Sequence, residues 1–178
     1  MFKGLSNNDT HPAFEPDTVV TITDGQLMYR GPSSLHAFGR LTGEVVDISM
    51  NEDIERVDIC IVGPSSRKIL LALPLAGGQT LRTLLPLASV KRYTGHRLDF
   101  DVTPSVRNEI VRALVTIHDG NDILEWSVPK EQVPVTKEGR ISLTRELVSD
   151  IRARIDHEAE LRGIPRVAPD IDEEPEGL

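Results

Sequence analysis

Alternating apolar and polar residues recur along much of the chain, a pattern typical of half-buried β-strands. The clearest case is residues 109–128, EIVRALVTIHDGNDILEWSV, in which two apolar-rich arms flank Asp119 and Gly120. Asp-Gly suits a type I′ turn, so the stretch predicts a central hairpin that pairs Ala113 with Trp126 on one apolar face. A turn one residue later shifts the pairing by two residues and keeps the same faces. Both registers place this tryptophan on the core side.

The same pattern predicts further strands before this hairpin. Residues 18–30, TVVTITDGQLMYR, read as a second hairpin in which a turn at Asp24-Gly25 pairs Ile22 with Leu27. Strand patterns also cover residues 35–50, 54–62, 67–75 and 96–102, and the last of these is expected to end at Thr103-Pro104. Glycines at 39 and 43 indicate a bulge or a bend within the stretch 35–50.

Helical patterns are fewer. Leucines in residues 76–95 have helical spacing, but Pro86 lies among them and removes a backbone donor, so we expect a loop with at most one helical turn. One helix is predicted over 143–163, capped by Ser142 or Thr144 and ended by Gly163. Its apolar stripe comprises Leu147, Val148, Ile151, Ile155 and Ala159. The stripe is narrow, so most of the helix is expected to face solvent or a partner.

These elements predict a mainly β fold. We expect a single domain of about seven to nine mostly antiparallel strands, arranged as a sandwich or a partly open barrel with one C-terminal amphipathic helix. The domain is assigned to residues 18–163, and a length of 178 residues suits one domain. Residues 1–17 and the acidic tail 164–178 show no apolar period and are expected to be flexible.

Composition narrows the class of protein. Hydrophobic residues make up 39% of the chain and aromatic residues 4%, so the core is expected to be aliphatic. The formal net charge is −8, and the last thirteen residues, with five acids and one arginine, contribute −4 of it. This balance argues against a general nucleic-acid binder, which would need cations to neutralise phosphates. No signal peptide or membrane span is visible, so we expect a cytoplasmic protein or one inside an assembled particle such as a virion.

Candidate chemistry is sparse. A lone cysteine, Cys60, excludes an internal disulfide, and no cysteine and histidine spacing fits zinc. Residues 118–122 could offer oxygen ligands to a cation, but a tight turn requires the same residue types. Alternation along the predicted strand places His96 on the opposite face from Asp99 and Asp101. No serine lies in the sequence context of a nucleophile elbow. We therefore predict a non-enzymatic protein with no catalytic residue, cofactor or metal site.

The remaining candidates are surfaces that could bind a partner. In residues 91–97, KRYTGHR, cations surround an aromatic side chain. The predicted partner-binding residues are Lys91, Arg92, Tyr93, Arg97, Leu147, Ile151 and Ile155. Our hypothesis is a structural or assembly protein, such as a virion or phage-tail component, that binds copies of itself or other subunits. The alternative is a small-ligand or cation-binding domain with its site at the 91–97 and 118–122 loops.

Overall fold

A computed structural model describes residues 14–163 of the protein. Within them the strands are β1 Thr18–Thr23, β2 Gln26–Arg30, β3 Leu35–Phe38, β4 Arg40–Asn51, β5 Arg56–Val62, β6 Lys68–Pro74, β7 Leu98–Arg107, β8 Ile110–Asp119 and β9 Asp122–Ile123. The α-helices are α1 Gly78–Leu87 and α2 Lys137–Leu161. Residues 1–13 of the predicted arm and the whole predicted tail, 164–178, lie outside the described residues. Asp17, at the end of that arm, is bound to β6, since its N–H donates to the Lys68 carbonyl at 2.8 Å.

The strands form one sheet in the order β3-β2-β1-β6-β5-β4-β7-β8-β9. Only β1 and β6 pair in parallel, and every other pair described is antiparallel. The prediction of a mainly β fold with a C-terminal helix is therefore confirmed. β3 and β4 are separated only by Gly39, whose carbonyl accepts a hydrogen bond from Val102 N–H in β7 at 2.9 Å. β2 also contacts β7, so the sheet folds back on itself.

The predicted hairpin over residues 18–30 is confirmed residue by residue. Ile22 pairs with Leu27 and Val20 with Tyr29, as the Asp-Gly turn requires. Asp24 and Gly25 have φ values of 51° and 74°, which is the backbone of a type I′ turn. The turn residues and the apolar alternation specify the same register here, so the two strands have no competing register.

The prediction of a central hairpin over residues 109–128 is largely wrong, because β8 pairs mainly with β7. β8 pairs along its whole length with β7, through a turn at Asn108 and Glu109 with φ values of 52° and 62°. Pairing across the turn at 119–122 is limited to two residue pairs, one of them His118 with Ile123, in the register of the alternative turn. The chain then leaves the sheet and runs along α1, where Ser127 N–H donates to the Leu85 carbonyl at 3.0 Å.

Trp126 is consequently not a core residue. Its predicted partner, Ala113, is paired with Pro104 of β7 instead. The tryptophan side chain is 36% exposed beside α1. The predicted faces of β8 are nevertheless correct, since Ala113 and Ile117 are buried while Leu114 is 51% exposed.

β7 continues past the proline that was expected to end it. Its predicted core face is confirmed, because Leu98, Phe100 and Val102 are buried. Val102 N–H points towards Gly39, away from β8, and backbone direction alternates along a strand, so the nitrogen of Pro104 points the same way. β4 stops pairing with β7 at Asp101. The missing N–H of Pro104 therefore lies at an edge with no strand beside it, where proline is tolerated.

The predicted irregularity in residues 35–50 is present, but its position differs. Gly39 separates β3 from β4 as a bend. The β-bulge lies between Val45 and Asp47, where the register with β5 shifts. Val45 and Ile48 consequently both face the core, while Val46 is only partly buried. Gly43 is instead a site of close packing, since a Cβ there would collide with Ile61.

Residues 78–87 form a ten-residue helix, α1, rather than the predicted loop. Pro86 lies in the last turn, so the only intrahelical donor that it removes is the one that would have reached the Arg82 carbonyl. Leu81, Leu84, Leu85 and Leu87 are all buried. Burial of these side chains outweighs the loss of one hydrogen bond.

The C-terminal helix begins earlier than predicted. Its first residue is Lys137 and its N-cap is Thr136, whose Oγ1 accepts a hydrogen bond from Gly139 N–H at 3.1 Å. The predicted start at 143 and the predicted caps Ser142 and Thr144 are wrong. Gly163, with φ +63°, ends the helix as expected. None of the helices in residues 14–163 has the length and apolar character to cross a bilayer.

Candidate interaction site

The basic loop, defined as residues 91–97, connects α1 to β7 and is organised around Tyr93. The Tyr93 side chain is fully buried, and its hydroxyl donates to the Leu87 carbonyl at 2.8 Å. Burial raises the pKa of this phenol to about 12. The Arg154 guanidinium lies 5.0 Å from the centroid of the ring. The aromatic side chain that was predicted to contact a partner therefore anchors the loop in the core.

Two residues of α2 hold the backbone of the basic loop. Arg154 donates to the carbonyl of Ala88 at 2.6 Å, to the Tyr93 hydroxyl at 3.2 Å and to the carbonyl of Val90. The Glu158 carboxylate accepts from Tyr93 N–H at 3.0 Å. Charge-assisted hydrogen bonds of this kind are among the stronger ones in proteins. The loop is thus a fixed platform rather than a free connection.

The cations of the basic loop point away from that platform. Lys91, Arg92 and Arg97 are exposed, and their side chains have no hydrogen bond or ion pair with any other residue of 14–163. The three predicted stripe residues differ, because Leu147, Ile151 and Ile155 are buried against the rest of the chain. The narrow stripe of α2 is covered by β4 and α1, so it does not require an external partner. Partner binding stays a prediction for the three exposed cations.

The second predicted loop, residues 118–122, lies beside the basic loop. His96 Nδ1 is 3.4 Å from Asp119 Oδ1, a contact that joins the two loops. His118 Nε2 lies 3.0 Å from Asp101 Oδ2. Arg40 donates to both oxygens of Asp101, at 2.6 and 2.9 Å, and this pairing lowers the carboxyl pKa below its ordinary value. Within residues 14–163 no group of three or more His, Cys, Asp and Glu side chains is arranged to hold a metal ion.

Strand register explains which of these histidines meets an aspartate of β7. His96 precedes β7, and it lies with Asp119 rather than with Asp99 or Asp101, as strand parity predicted. His118 faces Asp99 across the β7–β8 ladder and reaches Asp101 diagonally. The sequence could not reveal this second contact, because the predicted hairpin gave β8 the wrong partner.

Cys60 is an inert thiol. It is 1% exposed, and burial raises its pKa to about 12. The carboxylates of Asp47 and Asp58 lie near it and raise that pKa further. Cys60 is therefore a small buried residue of β5.

The far end of the β7–β8 hairpin is the surface that sequence reasoning missed. We call residues 105–112 the hairpin end. Val106 pairs with Val111 on the face that carries Phe100 and Ile117 in the core, but here the two valines are 69% and 46% exposed. Ile110, on the opposite face, is 55% exposed. The apolar face of this hairpin therefore extends beyond the protein's own core.

No protein-family model, curated protein or solved structure matches this chain.

Proposed function

We propose that the protein is a non-enzymatic assembly protein that binds further copies of itself, as a component of a particle such as a virion or a phage tail. The observation that carries the proposal is the apolar hairpin end. Contiguous exposed apolar side chains are typical of protein contact sites.

The geometry of the hairpin end favours contact with a protein surface. β4 stops pairing at Asp101, so the hairpin projects past that neighbour with both faces uncovered near the turn. Val106 and Val111 form a cross-strand pair that residues 14–163 leave 69% and 46% exposed. Burying the two valines in such a contact would contribute at most about 1.5–3 kcal/mol for each side chain that becomes fully buried.

The symmetry of a dimer makes a second copy a suitable partner. A twofold axis through the valine pair brings the same residues of two copies together, so that the apolar side chains of one copy meet those of the other. Arg107, which pairs with Ile110, lies on the opposite face and stays outside this contact.

The test is the mass of the protein in solution, measured by light scattering over a concentration series. We expect the wild type to form an oligomer that Val106→Asp converts to a monomer, because the carboxylate would be placed in the contact. Val135→Asp is the matched control, since Val135 is 84% exposed and far from β7 in sequence. A wild type that stays monomeric at every concentration, or a control that dissociates equally, would contradict the proposal.

A second candidate function is supported by the contact between His96 and Asp119. It brings together the two loops at which a small-ligand or cation-binding site was predicted. Carboxylate and carbonyl oxygens of the 118–122 turn are the ligands that a hard cation such as Ca²⁺ prefers. Calorimetric titration with Ca²⁺ should then show binding that Asp119→Asn weakens, whereas absence of binding heat in the wild type would rule out this cation at the two loops.

A further inference from the structure

We propose that the acidic run, defined as residues 170–176 (DIDEEPE), binds the basic loop of the same chain and covers its cations. The occupant is a segment beyond the described residues. Three observations support this assignment: the position at which α2 ends, the length of chain that follows it, and the complementary charges of the two segments.

The end of α2 lies against the basic loop. Arg162, the C-cap of the helix, has its Nη1 3.0 Å from the point that a Cβ on Gly95 would occupy. Glu158 and Arg154, one and two turns earlier, bind the backbone of this loop and of the residues just before it. The described residues therefore end directly beside the basic loop, residues 91–97.

The segment between α2 and the acidic run is long enough for the run to reach the basic loop. It is also short enough to keep the two close together. Residues 164–169 separate Gly163 from Asp170. Six extended residues span at most about 20 Å, so the acidic run is held close to the loop from which it departs. A short tether gives a local concentration that a separate copy of the acidic run would not match.

Complementary charge favours the acidic run as the segment that binds the basic loop. The acidic run carries five carboxylates and no cation. The loop and the helix end offer Lys91, Arg92, Arg97 and Arg162 as exposed cations. Three neighbouring acids are already engaged: Glu44 accepts from Gly95 N–H, Glu158 accepts from Tyr93 N–H, and Asp119 contacts His96. None of these contacts involves Lys91, Arg92 or Arg97, so the three cations remain exposed.

Each such ion pair is weak alone at an exposed site, so binding depends on several pairs acting together. It also depends on salt, because the screening length falls from about 30 Å at 0.01 M to about 3 Å at 1 M ionic strength. The contact is therefore expected to form at low salt and to open at high salt, without any change in the fold of residues 14–163.

The experiment places a nitroxide label on Leu178→Cys in the full chain and records the amide signals of the isotopically labelled protein. Cys60 does not compete for the label, because it is buried and its thiol pKa is about 12. We expect the amides of residues 91–97 to lose most of their intensity at low salt and to recover at high salt. Loss spread evenly over the surface, or no loss in the loop, would overturn the proposal.

Two variants identify the charges involved. Lys91→Ser with Arg92→Ser should restore the loop signals at low salt. Lys130→Ser with Lys137→Ser removes the same charge near the opposite end of α2, a helix of 25 residues, and should change nothing. Neutralising the five acids to Asn and Gln should restore the signals without altering any described residue, so misfolding of the domain cannot produce the same result.

A mixture of two samples separates contact within a chain from contact between chains. One sample carries the nitroxide without isotope, and the other carries isotope without nitroxide. Signal loss in the mixture would show that the acidic run binds another copy and would overturn the assignment to the same chain. Undisturbed loop signals in the mixture, with loss in the doubly labelled protein, are the expected outcome.

Discussion

At the scale of single residues, Arg154 links α2 to the chain that follows α1. Its guanidinium donates to two backbone carbonyls and to the Tyr93 hydroxyl, and it also lies over that aromatic ring. The carbonyls of Ala88 and Val90 follow or cap the last turn of α1, where helix carbonyls lack intrahelical donors. The Arg154 side chain of α2 thereby provides hydrogen-bond donors to carbonyls at and just beyond the C-terminal end of α1.

We expect Arg154→Met to lower the free energy of unfolding by about 1.5–3 kcal/mol, the range for hydrogen bonds to a charged group. Methionine retains an apolar stem at this position. The lost free energy of unfolding therefore measures the contribution of the guanidinium donors. Arg145→Met on the same helix is the control. Arg145 pairs with Glu52, with both side chains more than half exposed, and such pairs contribute about 0–1 kcal/mol. Urea unfolding measures both, and equal losses would show that the Arg154 contacts contribute little.

At the scale of elements, the start of α2 depends on a glycine that sequence reasoning placed in a loop. Gly139 is the third residue of the helix, and a Cβ there would lie 2.6 Å from Pro134 Cβ and 2.9 Å from Thr136 Oγ1. The preceding residues can therefore fold closely over the first turn. This close approach lets the Thr136 hydroxyl reach Gly139 N–H and cap the helix.

Gly139→Ala should consequently destabilise the protein by about 1–3 kcal/mol through overpacking, although alanine is the better helix former. Gly78→Ala provides the comparison. Gly78 is the first residue of α1, and nothing lies within 4 Å of its added Cβ, so alanine there should stabilise by about 0.4–1 kcal/mol. Thermal or urea unfolding of the two variants gives the signs, and stabilisation by both would exclude the packing argument.

At the scale of the whole molecule, two hairpins that are far apart in the strand order contact each other. The Asp24-Gly25 turn rests on the β7–β8 hairpin: a Cβ on Gly25 would lie 2.7 Å from Pro104 Cα and 3.0 Å from the Arg112 carbonyl. β1 and β2 are near one end of the strand order, and β7 and β8 are near the other. This contact therefore joins distant parts of both the sequence and the sheet.

Gly25→Ala tests that contact against Gly120→Ala. Both glycines have positive φ, +74° and +63°, so alanine costs about 1–2 kcal/mol of backbone strain at each. Nothing lies within 4 Å of the added Cβ at Gly120. We therefore expect Gly25→Ala to lose about 1–3 kcal/mol more than Gly120→Ala in urea unfolding. Equal losses would show that the two hairpins do not pack closely in solution.

Local pattern alone determined part of this architecture. Asp24-Gly25, with alternating residues on both sides, specifies its hairpin because turn and strands are adjacent in sequence. The stripe Leu147, Ile151 and Ile155 identifies its helix because the helical period is intrinsic to the chain. Exposure of Lys91, Arg92 and Arg97 in the basic loop also followed from the sequence.

Only the tertiary structure decided which strand pairs with β8 and what covers each face. Asn108-Glu109 is a weaker turn signal than Asp119-Gly120, yet it joins two ten-residue strands, and their long ladder outweighs the local preference. Pro86 is tolerated because the leucines around it are buried, and Tyr93 is internal because α2 lies over it. The exposed valines of the hairpin end follow from the same pairing. Sequence periodicity specifies which side chains share a face, whereas long-range packing selects which faces remain in water.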